Sequence, residues 1–254
     1  MKALATFTMS AAMAILPAAL RAQGTMPGTT TIPATGGTIT ITAIQHASVQ
    51  VEFGGKVIQV DPAQGDFSKA KPGDLVLITD IHGDHLNAAD IALVRKAGAP
   101  VVMPAAVQQT AGDKIPAPIE LLANGQSKTV AGVAIEAVAM YNLPGPSEQF
   151  HTKGRGNGYI VTLGGKRVYF AGDTACTPEM KALKDIDVAF IPMNLPYTMT
   201  PAEAADCAKV FKPKIAIPYH FQGQKPEEFS DALKGSGVDV RILNWYPAAA
   251  GGGR

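Results

Sequence analysis

Cysteine is scarce in this sequence, and neither sign of charge is in excess. Only Cys176 and Cys207 occur among 254 residues, which is too few for a disulfide-rich scaffold. One bridge between them is possible in an oxidising compartment, but we interpret them as two small buried thiols. The formal net charge is +1, so the composition gives the chain no general attraction to nucleic acid or to acidic lipid.

The N-terminal residues 1–22 match the pattern of a secretory signal peptide. Lys2 supplies a positive start, an apolar run extends to Leu20, and small residues surround Ala22. An uncleaved membrane anchor is the alternative, because the run approaches the length that spans a bilayer. Pro17 and the small residues favour cleavage, so we expect a periplasmic or secreted protein with no stable membrane insertion.

One large domain, residues 38–247, is expected between two short terminal segments without a periodic pattern. Residues 23–37 are rich in Thr, Pro and Gly without periodicity, and residues 248–254 are similarly simple. We predict a flexible lead-in and a flexible tail from these compositions. The sequence as a whole is 46% hydrophobic and 17% charged, which is ordinary for a globular domain.

Strand-like segments form two clusters, each followed by helical patterns. Alternating or fully apolar segments occur at 38–42, 49–53, 57–60, 75–78 and 101–103, and then at 133–138, 159–163, 167–171, 188–191, 215–217 and 238–243. Helical patterns with capping signals occur at 88–97, 201–211 and 226–234. This order predicts two sheets packed face to face with helices outside, an α/β sandwich with its loops gathered along one edge.

The loop after the apolar segment 75–78 concentrates potential metal ligands. Asp80, His82, Asp84 and His85 lie within six residues. Imidazole nitrogens and carboxylate oxygens are ligands that Zn²⁺ accepts. A polar helix cap with solvent-facing histidines is the alternative, but four potential ligands in one short loop favour a metal site.

Two further strand ends carry side chains of the same kind. Asp173 follows the segment 167–171, and His220 follows the segment 215–217. Ligands on rigid strand ends, with one coordination position left open, are what a catalytic metal site needs. We therefore expect these two residues to converge with the histidine-rich loop.

This order of motifs resembles the metallo-β-lactamase superfamily. The family motif His-x-His-x-Asp-His corresponds to residues 80–85, its Gly-Asp-Thr to residues 172–174, and its late histidine to His220. The likeness extends from about Thr38 to Leu243 and is greatest to the branch of metal-dependent hydrolases akin to the ascorbate-phosphate lactonase. Segments that look familiar from that branch are His46-Ala47-Ser48, Asp61-Pro62, 151–158 and 194–200. The resemblance implies a four-layer αββα sandwich and a metal-dependent hydrolase.

The resemblance also implies which residues hold the metal. It makes His82 a ligand of a first metal and Asp173 a bridge between two metals. The implied ligands of the second metal are Asp84, His85 and His220. Asp84 is also the implied catalytic residue, which orients a water and accepts its proton.

Two positions depart from the family pattern. Asp80 stands where the first motif histidine is usual, and Asn142 stands where a third histidine of the first site is expected. Asp80 can serve as an oxygen ligand, which makes the first site more tolerant of Mn²⁺ or Fe²⁺. Zn²⁺ remains the expected metal, as one or two ions.

The remaining polar residues divide into two expected roles. His151, Lys153 and Arg155 are predicted to bind a phosphate or carboxylate of the substrate, with a solvated charge run as the alternative. His151 can instead complete the first metal site. Further residues expected at the cleft or behind the ligands are Asn194 and Tyr197 for substrate binding, and His46, Asp61 and Asn142 for holding the ligands in place.

The sequence as a whole predicts hydrolysis of a small-molecule ester, lactone or phosphoester by a metal-activated water. A nuclease of the same fold is one alternative, and a degenerate metal- or ligand-binding protein without turnover is another. The net charge and the signal-like N-terminus argue against a nucleic-acid partner. The degenerate protein remains an alternative because Asp80 and Asn142 stand where the family pattern has histidines.

Overall fold

The computed structural model of the protein describes residues 28–247, whose strands form two seven-stranded sheets. The first sheet contains β1 Thr29–Ala34, β2 Gly37–Gln45, β3 Ser48–Phe53, β4 Lys56–Val60, β5 Leu75–Leu77, β6 Val101–Met103 and β7 Ile119–Leu121. The second contains β8 Ser127–Val130, β9 Val133–Met140, β10 Gly156–Leu163, β11 Lys166–Phe170, β12 Val188–Pro192, β13 Ile215–Tyr219 and β14 Asp239–Val240. The α-helices are α1 Ala88–Val94, α2 Ala105–Ala111, α3 Pro178–Lys181, α4 Pro201–Phe211 and α5 Pro226–Ala232.

Both sheets have the same internal plan. Strands β1 to β4 pair antiparallel, and β4 to β7 pair parallel. Strands β8 to β11 likewise pair antiparallel, and β11 to β14 pair parallel. The carboxyl ends of the parallel strands therefore collect at one edge of each sheet, as the two clusters of strand patterns predicted.

Strand β5 shows why the apolar segments are continuous rather than alternating. Leu75 and Leu77 pack into the large core that both sheets share. Val76 and Ile78 point the opposite way, into a smaller core under α1 and α2. Because successive side chains of a strand face opposite sides, a strand covered on both faces must be apolar throughout.

Helix α4 begins and ends where the sequence predicts. Thr200 caps it, its side chain accepting from the backbone N–H of Glu203 while the Glu203 carboxylate accepts from the backbone N–H of Thr200. Helix α1 instead ends at Val94, three residues short of the predicted Ala97. The backbone at Arg95 forms an isolated parallel bridge with Gly73, and this pairing draws the chain out of the helix.

The predicted flexible lead-in 23–37 is corrected in its described part. Residues 29–34 form β1, which pairs along its whole length with β2 and buries Ile32 against the shared core. The Thr-rich segment lacks strong periodicity because only one of its side chains is buried. The predicted signal peptide 1–22, residues 23–27 of the lead-in and the predicted tail 248–254 lie outside the described residues.

The cysteines are joined, contrary to their interpretation as two free thiols. Cys176 precedes α3, Cys207 lies on α4, and a disulfide connects them across 5.7 Å between their Cα atoms. Contacts between α3 and α4 bring these two positions together, which the spacing of the cysteines did not reveal. Within residues 28–247, no helix is both long and apolar enough to cross a membrane.

Removing the disulfide should destabilise the protein without unfolding it. The bridge spans a sequence separation of 31 residues. By the chain-entropy model, losing a cross-link that closes a loop of that size lowers the free energy of unfolding by about 3–4 kcal/mol. Urea unfolding of the Cys176→Ser/Cys207→Ser variant should show this loss in the free energy of unfolding. Wild-type protein unfolded in reductant is the matched control and should resemble the variant. An unchanged unfolding midpoint would contradict the prediction.

Candidate metal centre

Ligand-type side chains follow strand ends in both sheets. In the first sheet, Asp61 follows β4, and the loop 78–87 with its histidines follows β5. In the second, Asp173 follows β11, and His220 follows β13. Because these strands are parallel neighbours within their sheets, their carboxyl ends meet, and facing sheets bring the two sets together.

Gly172 allows the chain to deliver Asp173 to this meeting point. Its φ is +66°, and a Cβ atom there would lie 2.4 Å from Sδ of Met140. Its backbone N–H donates to the hydroxyl of Tyr219 at 2.8 Å. A side chain at this position would therefore clash and strain the backbone.

The four residues predicted for the second metal form one group, which we call the His85 cluster. It consists of Asp84, His85, Asp173 and His220, with one donor atom of each lying within 4.8 Å of the others. Nε2 of His85 lies 3.2 Å from Oδ2 of Asp173, and Nε2 of His220 lies 3.2 Å from Oδ1 of Asp173. The structure thus brings all four side chains to one point.

A second group, the His82 cluster, consists of Asp80, His82 and His151. Nε2 of His151 lies 3.2 Å from Oδ2 of Asp173, the same oxygen that faces His85. Asp173, a member of the His85 cluster, therefore also faces the His82 cluster, and its bridging role stays a prediction.

Several donor atoms at this point are buried without a hydrogen-bond partner. They are Nε2 of His85, Nε2 of His151 and Oδ1 of Asp173. Burying a polar atom without a partner is costly, yet three such atoms converge here. Metal ions held by the two clusters would supply partners for these atoms, so the residues present fit metal binding.

Asp61 holds His85 in the orientation that a ligand needs. Oδ2 of Asp61 lies 2.8 Å from Nδ1 of His85 and accepts from the Thr79 hydroxyl at 2.6 Å. Burial alone would lower the pKa of His85, but the carboxylates of Asp173 and Asp61 raise it well above its ordinary value. With Nδ1 donating to Asp61, Nε2 is left to face the centre, as the predicted role of Asp61 requires.

Asp84 is the partly exposed member of the His85 cluster. Its Oδ2 lies 3.2 Å from Nε2 of His220 and 3.3 Å from Nε2 of His46. Burial opposes ionisation, but these two histidines hold the pKa of Asp84 far below its ordinary value. The carboxylate is thus anionic and held in place.

His46 is itself held by a residue that the sequence gave no reason to single out. Its Nδ1 lies 2.6 Å from the Tyr246 hydroxyl, which accepts from the backbone N–H of Phe221 at 3.1 Å. The rings of His46 and His220 lie 3.7 Å apart. His46 therefore supports two members of the cluster, and no sequence motif marked Tyr246.

Asp80 has a partner that the sequence did not predict. Nε and Nη2 of Arg155 donate to its two carboxylate oxygens at 3.0 and 2.8 Å. Oδ2 of Asp80 also lies 2.8 Å from Nδ1 of His82. Burial would raise the pKa of Asp80, but His82, with His85 and Arg155, lowers it below its ordinary value. The predicted ligand role stays a prediction, and these contacts make Asp80 also the group that orients His82.

Asn142 lies behind His151 rather than in a cluster. Its Nδ2 donates to the backbone carbonyls of Ser147 and Tyr197 at 2.8 and 2.7 Å, and lies 3.1 Å from Nδ1 of His151. Nδ1 of His151 is also 3.1 Å from the Tyr197 carbonyl. With Nδ1 so engaged, Nε2 of His151 faces Asp173, and this geometry favours a metal-ligand role over the predicted substrate-binding role.

The predicted basic substrate-binding cluster does not form. Arg155 is paired with Asp80, and Nζ of Lys153 donates to Glu179 at 2.6 Å on the surface. Neither residue lines the cavity above the clusters. Sequence proximity to His151 did not reveal that each cation pairs with a carboxylate elsewhere in the chain.

A cavity of about 340 Å³ opens above both clusters. Asn194 and Tyr197 line it, as predicted from the sequence. Its other walls include Gln64, Phe150 and Gln222, which carried no sequence signal. The loops after β4, β9, β12 and β13 therefore supply the surface that a substrate would contact.

Known proteins resemble this chain over most of its length. A family model described as the β-lactamase superfamily domain matches residues 40–220. A UPF0173 metal-dependent hydrolase of Thermococcus kodakarensis is 34% identical over 213 residues, covering 78% of this chain and 93% of the relative. Another, of Methanopyrus kandleri, is 31% identical over 223 residues, covering 82% and 96%. A crystal structure named as that of a metal-dependent hydrolase from Parabacteroides distasonis matches with a TM-score of 0.80 and 41% identity, covering 86% of this chain and 99% of that one.

These likenesses confirm the predicted α/β sandwich. They do not distinguish the lactonase-like branch, which stays a prediction. The predicted periplasmic or secreted location is wrong, because the chain aligns along nearly the full length of UPF0173 proteins from two archaea. The segment on which that location rested, residues 1–22, lies outside the described residues.

Replacing Asp61 by Asn should weaken metal binding while preserving the fold. The amide keeps the size of the side chain but loses the charge that holds Nδ1 of His85, and such changes typically cost about 10- to 100-fold in metal affinity. Titration of metal-free protein with Zn²⁺ by calorimetry measures this loss. Asp113→Asn, at an exposed position, is the matched control. Equal affinity in both variants would contradict the role assigned to Asp61.

Replacing His151 by Ala should lower the amount of bound metal. Its Nε2 faces the bridging carboxylate, so its loss removes a donor from the His82 cluster. Elemental analysis should show less metal per chain than in wild type, whereas the exposed Lys153→Ala should match wild type. Full metal content in His151→Ala would return His151 to a substrate-binding role.

Proposed function

Since the chain belongs to the β-lactamase superfamily, as a metal-dependent hydrolase of the metallo-β-lactamase fold, we propose that it hydrolyses a small-molecule ester, lactone or phosphoester. The observation that carries this proposal is the pair of ligand clusters joined by Asp173 at the floor of a cavity. A small molecule of modest size fits that cavity.

Zn²⁺ is the metal that we propose, as one or two ions. His85 and His220 with Asp84 and Asp173 give the mixture of imidazole and carboxylate that zinc accepts. Mn²⁺ or Fe²⁺ is the alternative if Asp80 adds another hard oxygen. When bound, such an ion supplies Lewis acidity, which acidifies a water and polarises the scissile group.

Asp84 is the catalytic residue of this proposal. Its Oδ2 is engaged by His46 and His220, and its Oδ1 lies 3.9 Å from Nε2 of His85. Oδ1 can therefore accept a hydrogen bond from a water in the cavity and take up its proton. Because His46 and Tyr246 hold Asp84 from behind, the carboxylate needs little reorganisation.

The chain also limits the access of bulk water. The His85 and Asp173 side chains are buried, and the rings of Phe150 and Tyr197 pack edge to face at 5.0 Å in the cavity wall. A substrate that covers the remaining opening leaves the reacting group in a shielded, polar pocket. Electrostatic interactions are stronger in such a site than in water.

A nuclease is the weaker candidate. Among the described residues, neither lysine nor arginine lines the cavity, and the net charge is +1. Nucleic-acid binding depends on cations that neutralise successive phosphates. We therefore propose a small-molecule substrate and no nucleic-acid partner.

A metal-binding protein without turnover is the other candidate. The ion pair between Asp80 and Arg155 favours it, because this pair neutralises a predicted ligand.

Activity after metal removal and replacement distinguishes a hydrolase from a protein that only binds metal. Chelated protein should be inactive on a panel of esters, lactones and phosphoesters, and Zn²⁺, Mn²⁺ or Fe²⁺ should restore turnover. Hydrolysis by the chelated protein would refute the proposal, as would inactivity of all three reloaded forms.

Asp84→Asn should reduce kcat by about 100-fold or more, because a positioned general base typically contributes that much. Metal content measured on the same samples separates loss of the base from loss of the ligand. Asp113→Asn should behave as wild type. Unchanged kcat in Asp84→Asn would remove Asp84 from the reaction.

A further inference from the structure

Arg155 and Lys153, the two cations expected to bind substrate, are each paired with a carboxylate of the chain. Arg155 donates to both oxygens of the buried Asp80 and to the carbonyl of Phe150 at 2.6 Å. Lys153 donates to Glu179 and lies over the ring of Tyr141, 4.7 Å from its centroid. Neither can turn toward a ligand in the cavity without breaking these contacts.

The polar groups that do line the cavity are uncharged amides. Apart from the two clusters and His46, the lining consists of Gln64, Asn194 and Gln222 with Phe150 and Tyr197. Side-chain amides both donate and accept hydrogen bonds, so they suit neutral oxygen and nitrogen groups of a ligand. The aromatic pair offers an apolar face beside them.

No lysine or arginine of the described residues lines the cavity wall. Asp173 and Asp84 line the floor, where a bound metal ion would balance their charge, and Asp80 is paired with Arg155. An anionic group on a substrate, away from the reacting bond, would therefore meet no side-chain cation. It would also lose water without gaining a charge-assisted hydrogen bond.

We infer that the part of the substrate that lies away from the reacting bond is uncharged and carries an apolar group that packs against Phe150. This inference rests on the proposed function and narrows it by excluding substrates whose non-reacting part carries a carboxylate. For a carboxylic ester or lactone, water adds its oxygen to the acyl carbon and the bond from that carbon to the alkoxy oxygen breaks. One proton of the water goes to Asp84 and then to the departing alkoxide, which leaves a carboxylate and an alcohol after the acid ionises.

Matched esters with one leaving group test the charge preference. Zn²⁺-loaded protein is assayed with p-nitrophenyl butyrate and the mono-p-nitrophenyl ester of succinic acid. We expect kcat/KM to be about tenfold or more higher for the butyrate, because the carboxylate of the succinate ester loses water without gaining a charge-assisted hydrogen bond. Equal or faster hydrolysis of the succinate ester would overturn the inference while leaving the proposed function intact.

Two variants test the cavity wall directly. Gln222→Lys, at an exposed position, adds the missing cation and should shift the preference toward the succinate ester. Phe150→Ala should raise KM for the butyrate with a smaller change in kcat, whereas Leu93→Ala, an exposed leucine away from the cavity, should change neither. A Gln222→Lys variant with an unchanged preference would contradict the inference.

Binding of the corresponding anilides distinguishes failure of this inference from failure of the proposed function. N-(4-nitrophenyl)butanamide and N-(4-nitrophenyl)succinamic acid are titrated into the metal-loaded protein. Tighter binding of the neutral anilide supports the inference even if no ester is hydrolysed, in which case the proposed function alone fails. Tighter binding of the anionic anilide overturns the inference.

Discussion

The buried carboxylate of Asp173 is the group around which the centre is arranged. Its Oδ2 faces His85 and His151, and its Oδ1 faces His220, each at 3.2 Å. Burial opposes its ionisation, but His220 and His85 hold the pKa of Asp173 well below its ordinary value. An anion in this place is tolerated only if positive or donor groups surround it. Because His85 comes from the first sheet and His220 from the second, the packing of the two sheets and the site depend on each other.

The supporting contacts follow one plan. In four of the five histidines, all except His220, the Nδ1 atom has its own partner. The partner is Asp61 for His85, Asp80 for His82, the Tyr197 carbonyl for His151 and the Tyr246 hydroxyl for His46. Such partners select which nitrogen is free and fix the plane of the ring. The geometry of the centre therefore depends on partner residues that surround the histidines and need not contact a metal or a substrate.

Asp80 and Asn142, which depart from the expected family pattern, each have a partner nearby. Arg155 neutralises the Asp80 carboxylate, and the 3₁₀ turn Glu148–Phe150 presents His151 close to Asn142. Both partners come from the segment between β9 and β10. The same pairing withdraws Arg155 from the cavity, so the composition of the metal site and the charge of the substrate pocket are linked.

Local patterns in the sequence determined the framework. The apolar run 75–78 predicted a strand covered on both faces, and Thr200 with Glu203 marked the start of α4, because strand period and helix capping depend on residues close in sequence. The motif 80–85, Asp173 and His220 could be assigned to one site because parallel strands deliver their ends to one edge. Only the tertiary structure decided the pairing of Arg155 with Asp80, the place of His151, the contact of His46 with Tyr246 and the disulfide. Most of these contacts join residues dozens of positions or more apart, and such neighbours are chosen by how sheets and loops pack, which no local pattern encodes.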